Sequence, residues 1–303
     1  MMTTPTADVT RRPGGRMGLH RRLLGHPGFL VGALLLLAAL FLASFAGSLS
    51  PHDPLDQDLS RRLIPPVWEG GERASWTHPL GTDQLGRDYL SRLIHGARVS
   101  LIIGLSAMLI SGVIGTILGT LAGYLGGRVD LVVSFIVTVR LALPVVLVAL
   151  AVVSLAGSSL TVVIAVLGFL LWDRFAVVLR SATQQIRSQE YITAARALGC
   201  STTRILLTEV APNIIGPLIV VATLEVAHAV LLESALSFLG LGVQPPTPSW
   251  GLMVAEARGL MFYDPWLIAL PGGALFLLVL AINLFGDGLR DLMAAQTRTV
   301  PDA

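Results

Sequence analysis

The sequence predicts an all-α, polytopic membrane protein with six transmembrane helices. Three observations lead there. Apolar residues make up 53% of the 303 residues and charged ones only 13%, against about 25% in a soluble domain. Mean hydropathy is +0.74. The apolar residues gather into six runs, at 28–49, 99–124, 129–155, 160–179, 214–239 and 266–285. Each is long enough to cross a bilayer, which takes about 20 residues. Inside hydrocarbon every backbone polar group must find its partner within the segment, so these runs are helices. Stretches such as LLLLAALFLA lack the alternation of a transmembrane barrel strand.

The first run, 28–49, is too long for a signal-peptide core of about 7–15 residues. It reads as an uncleaved anchor, although Ser44-Phe45-Ala46 loosely resembles a cleavage site. Arg11, Arg12, Arg16, Arg21 and Arg22 precede it and place residues 1–27 in the cytoplasm by the positive-inside rule. Six crossings return the tail at 291–303 to the same side. The loops then inside hold 12 Arg and those outside seven, a modest bias. The cluster next to the first span therefore sets the orientation. An extracytoplasmic segment at 50–98 follows, rich in Pro, Asp, Trp and Gly, and reads as loop with short helices. Residues 99–290 form a five-helix core.

Within that core, Ser111, Gly115, Gly119 and Gly123 recur every four residues, a stripe that lets helix backbones approach closely in lipid. Such a stripe serves either static packing within the chain or a moving contact. The third run carries Arg140 and Pro144, the fourth Asp173 and Arg174. Pro144, Pro217 and Pro271 each remove a backbone donor and permit a kink. The fifth run carries Glu225 and His228, three apart on one helix face, with Glu233 near its far end. Ionisable residues at membrane depth are functional candidates by default. Two readings are open: these residues line a translocation path, or Glu225 and His228 bond each other or a neighbouring helix. Two ligands do not make a metal site.

The inner segment at 181–213 is patterned. Tyr191, Ala194, Ala195 and Leu198 share one helical face beside the charged Arg187, Glu190 and Arg196. Gly199 is a stop signal, Ser201 a cap for a second helix, and Pro212 a break before the fifth run. A face this small suits docking into a groove on another protein or lying on the bilayer.

Composition excludes several chemistries. All 21 basic residues are Arg, so there is no P-loop Lys, no Schiff-base Lys and no kinase Lys. Any ATP chemistry of that kind belongs to another chain. Cys200 stands alone, which excludes an intrachain disulfide. A net charge of +2 does not suggest nucleic-acid binding. Neither H-E-x-x-H nor G-x-S-x-G occurs, so no catalytic residue is expected.

EYITAARALGCSTTRILLTEVAPN (Glu190–Asn213) resembles the EAA loop of ATP-binding-cassette (ABC) importer permeases. Thr193, Ala194, Ala195, Gly199 and Pro212 stand at the motif positions. Thr193 replaces the motif Glu and Ala211 the Leu before Pro212. HPLGTDQLGRDYLSRLIHGARVSL (His78–Leu101), ESALSFLGLGVQPPTPSWG (Glu233–Gly251), NLFGDGLRD (Asn283–Asp291) and PPVWEGG (Pro65–Gly71) resemble segments of the inner-membrane permeases of the dipeptide/oligopeptide importer family, on the permease C side of the pair. The resemblance implies a type I ABC importer permease fold in a bacterial inner membrane. It implies import of dipeptides or short oligopeptides by alternating access. It implies as partners a second homologous permease chain, two ATPase subunits that hold the ATP and Mg²⁺, and an extracytoplasmic substrate-binding protein. This chain would bind no cofactor itself. Glu190, Thr193, Ala194, Ala195, Arg196, Gly199 and Pro212 would couple to the ATPase; Glu225, His228 and Glu233 are candidates for the path. Relatives usually carry Arg and Asp where this chain has Phe135 and Thr138, and often Arg at Val177, so Arg140 reads as a relocated charge. Importers of nickel chelates, glutathione or other small solutes share the architecture. From a different class, a membrane scaffold or sensor would use the same inner helix to hold a regulatory partner.

Overall fold

The computed structural model describes residues 27–297, so the N-terminal Arg cluster and the last residues of the C-terminal tail lie outside the described residues. Among the described residues there is no β-strand, only an isolated bridge between Thr82 and Asp88. Among the described residues, five helical spans are long and apolar enough to cross a membrane, six if a sharply bent helix pair is counted as one span.

The first span is α1 (Pro27–Ser44), continued after Phe45 by the short turn Ala46–Leu49. It packs on the edge of the bundle against the last helix. A Cβ on Gly32 would meet the backbone of Phe285 at 2.6 Å, and Phe29 stacks on Phe285 with ring centroids 5.1 Å apart.

The second span is α2 (Tyr89–Leu125), which starts ten residues before the apolar run at 99. Hydropathy misses this stretch because Arg92, His95 and Arg98 lie in it. The helix forms nonetheless because Asp88 caps it, accepting from the Ser91 N–H at 2.8 Å. Its innermost charge is also partnered: Arg92 is fully buried against Asp83 and Glu256.

The small-residue stripe of α2 seats α6 (Trp172–Arg187). A Cβ on Gly119 would lie 2.5 Å from the Ala176 carbonyl oxygen, and one on Gly123 2.5 Å from that of Arg180. The stripe thus serves packing within this chain.

The expected continuous span at 129–155 is corrected. α3 (Gly127–Ala142) and α4 (Val145–Ala156) meet at an 86° bend. Pro144 supplies no backbone N–H, and Leu143 before it is extended at φ −95°, ψ 127°. The fourth span runs as α5 (Leu160–Leu170) and α6, joined at Leu171.

A short helix, α7 (Glu190–Ala197), then leads through a turn into Thr202–Ile205, a π-type turn Leu206–Val210, and α8 (Ala211–Phe238). The break expected at Pro212 is also corrected, since Thr202–Phe238 runs as one span. Pro212 falls in the first turn of α8, directly after the π turn, where a wider backbone ring tolerates a missing donor.

The chain returns through α9 (Trp250–Ala257), and the described residues end in α10 (Trp266–Thr297), which contains Pro271 without breaking. Residues 50–88 pack as a cap on one end of the bundle. Asp83, Arg87, Arg92 and Glu256 fasten that cap, with Arg87 Nε 2.6 Å from Asp83 and Arg92 Nη2 2.8 Å from Glu256.

Candidate functional site

The α7 hairpin sits at the opposite end of α2 from the cap. Its turn is a Schellman motif, because Cys200 N–H bonds Ala195 C=O at 3.1 Å and Gly199 N–H bonds Arg196 C=O at 2.9 Å. Gly199 takes φ +78°, a conformation that glycine adopts freely. Ser201 Oγ caps the following turn by accepting from the Arg204 N–H at 3.4 Å.

One residue anchors the hairpin. Ile192 is fully buried among Tyr124, Leu179, Ile205, Val210 and Ile214. Arg196 adds a second hold: its guanidinium lies 4.8 Å from the Tyr124 ring centroid and its Nε donates to Tyr124 Oη at 3.2 Å. Arg196, expected among the coupling residues, therefore also fastens α7 to the end of α2. Ile192 is not among the residues expected to matter, because it lies off the periodic face of Tyr191, Ala194, Ala195 and Leu198. That face points outward. Leu198 is 84% exposed and Tyr191 44%, with Thr193 and Ala194 exposed and Ala195 half-buried. Glu190 stands in the first turn of α7, where its charge complements the helix dipole. Pro212 is exposed nearby.

At membrane depth the structure brings Glu225 and His228 together and adds a member from α6. Glu225 is fully buried; its Oε1 accepts from Arg174 Nη1 at 3.1 Å and its Oε2 lies 3.4 Å from His228 Nδ1. The Arg174 side chain is 53% exposed and that of His228 27%. Asp173 and Arg174 are neighbours in sequence, yet Arg174 finds its acid 51 positions away. The signal for this pairing is chemical: an Arg at such depth requires a counter-charge, and Glu225 is an acid at matching depth on another span. Beside this cluster lies an apolar groove of about 460 Å³. It is lined by Met108, Gly112, Phe175, Leu218 and Ala222 among others. Leu218 and Ala222, which line it, lie on the same stripe of α8 as Glu225.

Glu233 does not join them. It is fully buried, and its Oε1 accepts from Ser237 Oγ at 2.7 Å and Ser249 Oγ at 3.0 Å. Ser249 also caps α9, so Glu233 ties the end of α8 to the returning helix. Arg140 donates to the Leu170 carbonyl. Asp130 and Arg180 form a two-point ion pair between residues 50 positions apart, which no local pattern in the sequence signals.

A bundle of membrane spans with a hairpin held outside it, and with charges kept at membrane depth, suits a transport permease subunit. The chain belongs to the family of binding-protein-dependent transport system inner membrane components, whose family model matches residues 115–299. The N-terminal transmembrane domain of oligopeptide transport permease C matches residues 19–66. The chain is 44% identical over 266 residues to the di/tripeptide transport system permease protein DppC of Pseudomonas aeruginosa, covering 88% of this chain and 87% of that one. It is 41% identical over 266 residues to the dipeptide transport system permease protein DppC of Escherichia coli, covering 88% of each. Among solved structures, the inward-facing MetNI methionine ABC transporter aligns with a TM-score of 0.57 at 20% identity, over 68% of this chain and 96% of that one. That likeness shows the fold, the type I importer permease architecture. The chain is thus a multi-pass permease subunit of a bacterial ABC importer.

Proposed function

We propose that this chain is one permease half of an importer for dipeptides and short oligopeptides, working by alternating access. The similarity to peptide permeases over nearly nine-tenths of the chain supports the cargo class. The observation that carries the mechanism is the exposed α7 hairpin, anchored by Ile192 and presenting Tyr191, Thr193, Ala194, Leu198 and Gly199 outward. A small apolar face on a rigid turn suits the cleft of a separate ATPase subunit. Under this reading two ATPase subunits hold the ATP and Mg²⁺, and this chain carries no catalytic residue and no cofactor. Both termini lie in the cytoplasm, the hairpin faces the ATPases, and the 50–88 cap faces an extracytoplasmic binding protein.

The Arg174–Glu225–His228 cluster supports a second homologous permease chain. A half-exposed guanidinium at membrane depth is costly against lipid. Against a polar path or a partner subunit the cost falls away. The flank bearing Arg174 and the adjoining groove therefore face the path, where Arg174 meets the carboxylate of a peptide and Glu225 holds Arg174 in place.

Gentle extraction of the tagged chain and identification of co-purifying subunits test the assembly. An ATPase pair and one similar six-span chain are expected. Recovery of the chain alone, under conditions that keep other membrane complexes intact, would overturn it. Competition of labelled dipeptide uptake by unlabelled peptides and by nickel chelates tests the cargo.

A further inference from the structure

The cap holds a cluster outside the permease machinery described so far. His52, His78 and Asp88 come from separate turns of the chain. One ligand-capable atom from each lies within 4.8 Å of the other two. His78 Nδ1 is 2.8 Å from Asp88 Oδ1, and His52 Nδ1 is 3.7 Å from the same oxygen. The two imidazoles lie 4.7 Å apart, centroid to centroid, tilted by 32°. Asp88 and His78 are buried, with side chains 1% and 7% exposed, while His52 is 34% exposed.

One of these donor atoms, His52 Nδ1, is shielded from solvent and has no hydrogen-bond partner. Leaving buried polar atoms unsatisfied is costly. Imidazoles in such a setting, beside a carboxylate and with no Arg or Lys ion-paired to it among the described residues, suit a cation. Asp88 is also tied down from behind, since its Oδ2 accepts from the Ser91 N–H and caps α2. The His52 backbone N–H bonds Ser91 Oγ at 3.1 Å, so the segment bearing the most exposed ligand is already docked.

We propose that His52, His78 and Asp88 form a site for one divalent transition-metal cation, with Zn²⁺ as the fitting probe. Two imidazoles and a carboxylate are a common zinc donor set. Neighbouring ligand atoms around tetrahedral zinc are about 3.3 Å apart, given bonds of about 2.0–2.1 Å. The separations of 2.8 and 3.7 Å from Asp88 Oδ1 bracket that spacing, and all three donor atoms lie within 4.8 Å of one another. Binding requires neutral imidazoles and releases the protons they would otherwise hold, so affinity falls at acid pH. The bound ion links residues 52 and 78 of the cap to the residue just before α2. It fastens the cap to the start of α2.

The test uses the full-length chain, in its transporter complex or in detergent, with any polyhistidine tag removed. The sample is equilibrated with buffered free Zn²⁺, cleared of excess metal, and measured by elemental mass spectrometry. About one zinc per wild-type chain is expected. His52→Gln and the double variant His52→Gln/His78→Gln should bind at least about 100-fold more weakly, since loss of even an outer partner costs 10–100-fold. The unfolding midpoint should rise with Zn²⁺ in the wild type and stay fixed in the variants. His52→Gln leaves the His78–Asp88 bond intact, so it separates metal binding from folding. A wild-type chain that holds no zinc, making the cluster a hydrogen-bonded anchor only, would overturn the proposal. So would zinc retention by both variants equal to that of the wild type.

Discussion

Substitution at Gly199 separates the fold of the hairpin from its docking. The residue sits at φ +78°, and a Cβ built there meets nothing within 4 Å in the chain. Gly199→Ala therefore costs only the backbone term for a left-handed L-residue, about 1–2 kcal/mol. Asn tolerates that conformation far better, so Gly199→Asn should leave the hairpin within a few tenths of a kcal/mol of wild type. Both variants add atoms beside Leu198, which is 84% exposed. If a cleft closes over this turn, the added side chain clashes there. Loss of a central contact is worth about 2 kcal/mol, roughly 30-fold in affinity. The expected pattern is a Gly199→Asn chain that inserts and unfolds like wild type, yet holds its ATPase subunits about 30-fold more weakly and loses ATP-driven uptake. Thermal unfolding, co-purification stoichiometry and vesicle uptake are measured on the same preparations. Normal ATPase retention and normal uptake by both variants would refute the docking role.

Other perturbations follow from the same geometry. Ile192→Ala removes the fully buried anchor and should destabilise the hairpin by about 2–4 kcal/mol, seen as faster amide exchange over residues 190–205 with the spans unaffected. Glu225→Gln leaves Arg174 without its counter-charge and should lower the unfolding midpoint. Adding Arg174→Gln should recover much of that stability without restoring uptake; full recovery of uptake would assign the pair to packing alone. Ser249→Ala deletes both the α9 cap and a donor to buried Glu233 and should cost about 1–2 kcal/mol in thermal unfolding, with substrate selectivity unchanged.

The spans are legible in the sequence because length and hydropathy alone define them in a bilayer. Their interruptions are less so. Pro144 signals a kink, but only the extended Leu143 before it turns the kink into an 86° break. Pro212 carries the same chemistry and gives no break, because the wide turn at Leu206–Val210 precedes it. Sequence shows the missing donor and not the backbone ring around it. The ten added residues of α2 are hidden for a different reason. Arg92 depresses hydropathy in one dimension, and its partners Asp83 and Glu256 come to it only in three. The hairpin is readable as a motif, through Ala194, Ala195, Gly199 and Ser201. Its anchor is not, since Ile192 lies off the periodic face. Arg174 is a middle case: its need for a counter-charge is legible, while the choice of Glu225, 51 positions away, emerges only once the two helices pack.

α2 touches both working ends of the subunit. Near its start, Arg92 joins the buried charge network of the cap, and near its finish Tyr124 carries Arg196 of the hairpin. Thirty-seven residues of unbroken helix measure about 55 Å, well beyond the roughly 30 Å of hydrocarbon. The two ends are therefore joined by a single strut rather than by a relay of loops. A tilt of about 10° about one end carries the other through about 10 Å at this length. Were the hairpin rotated by that amount, the cap would be displaced by about a helix diameter, with no residue between them needing to change its conformation.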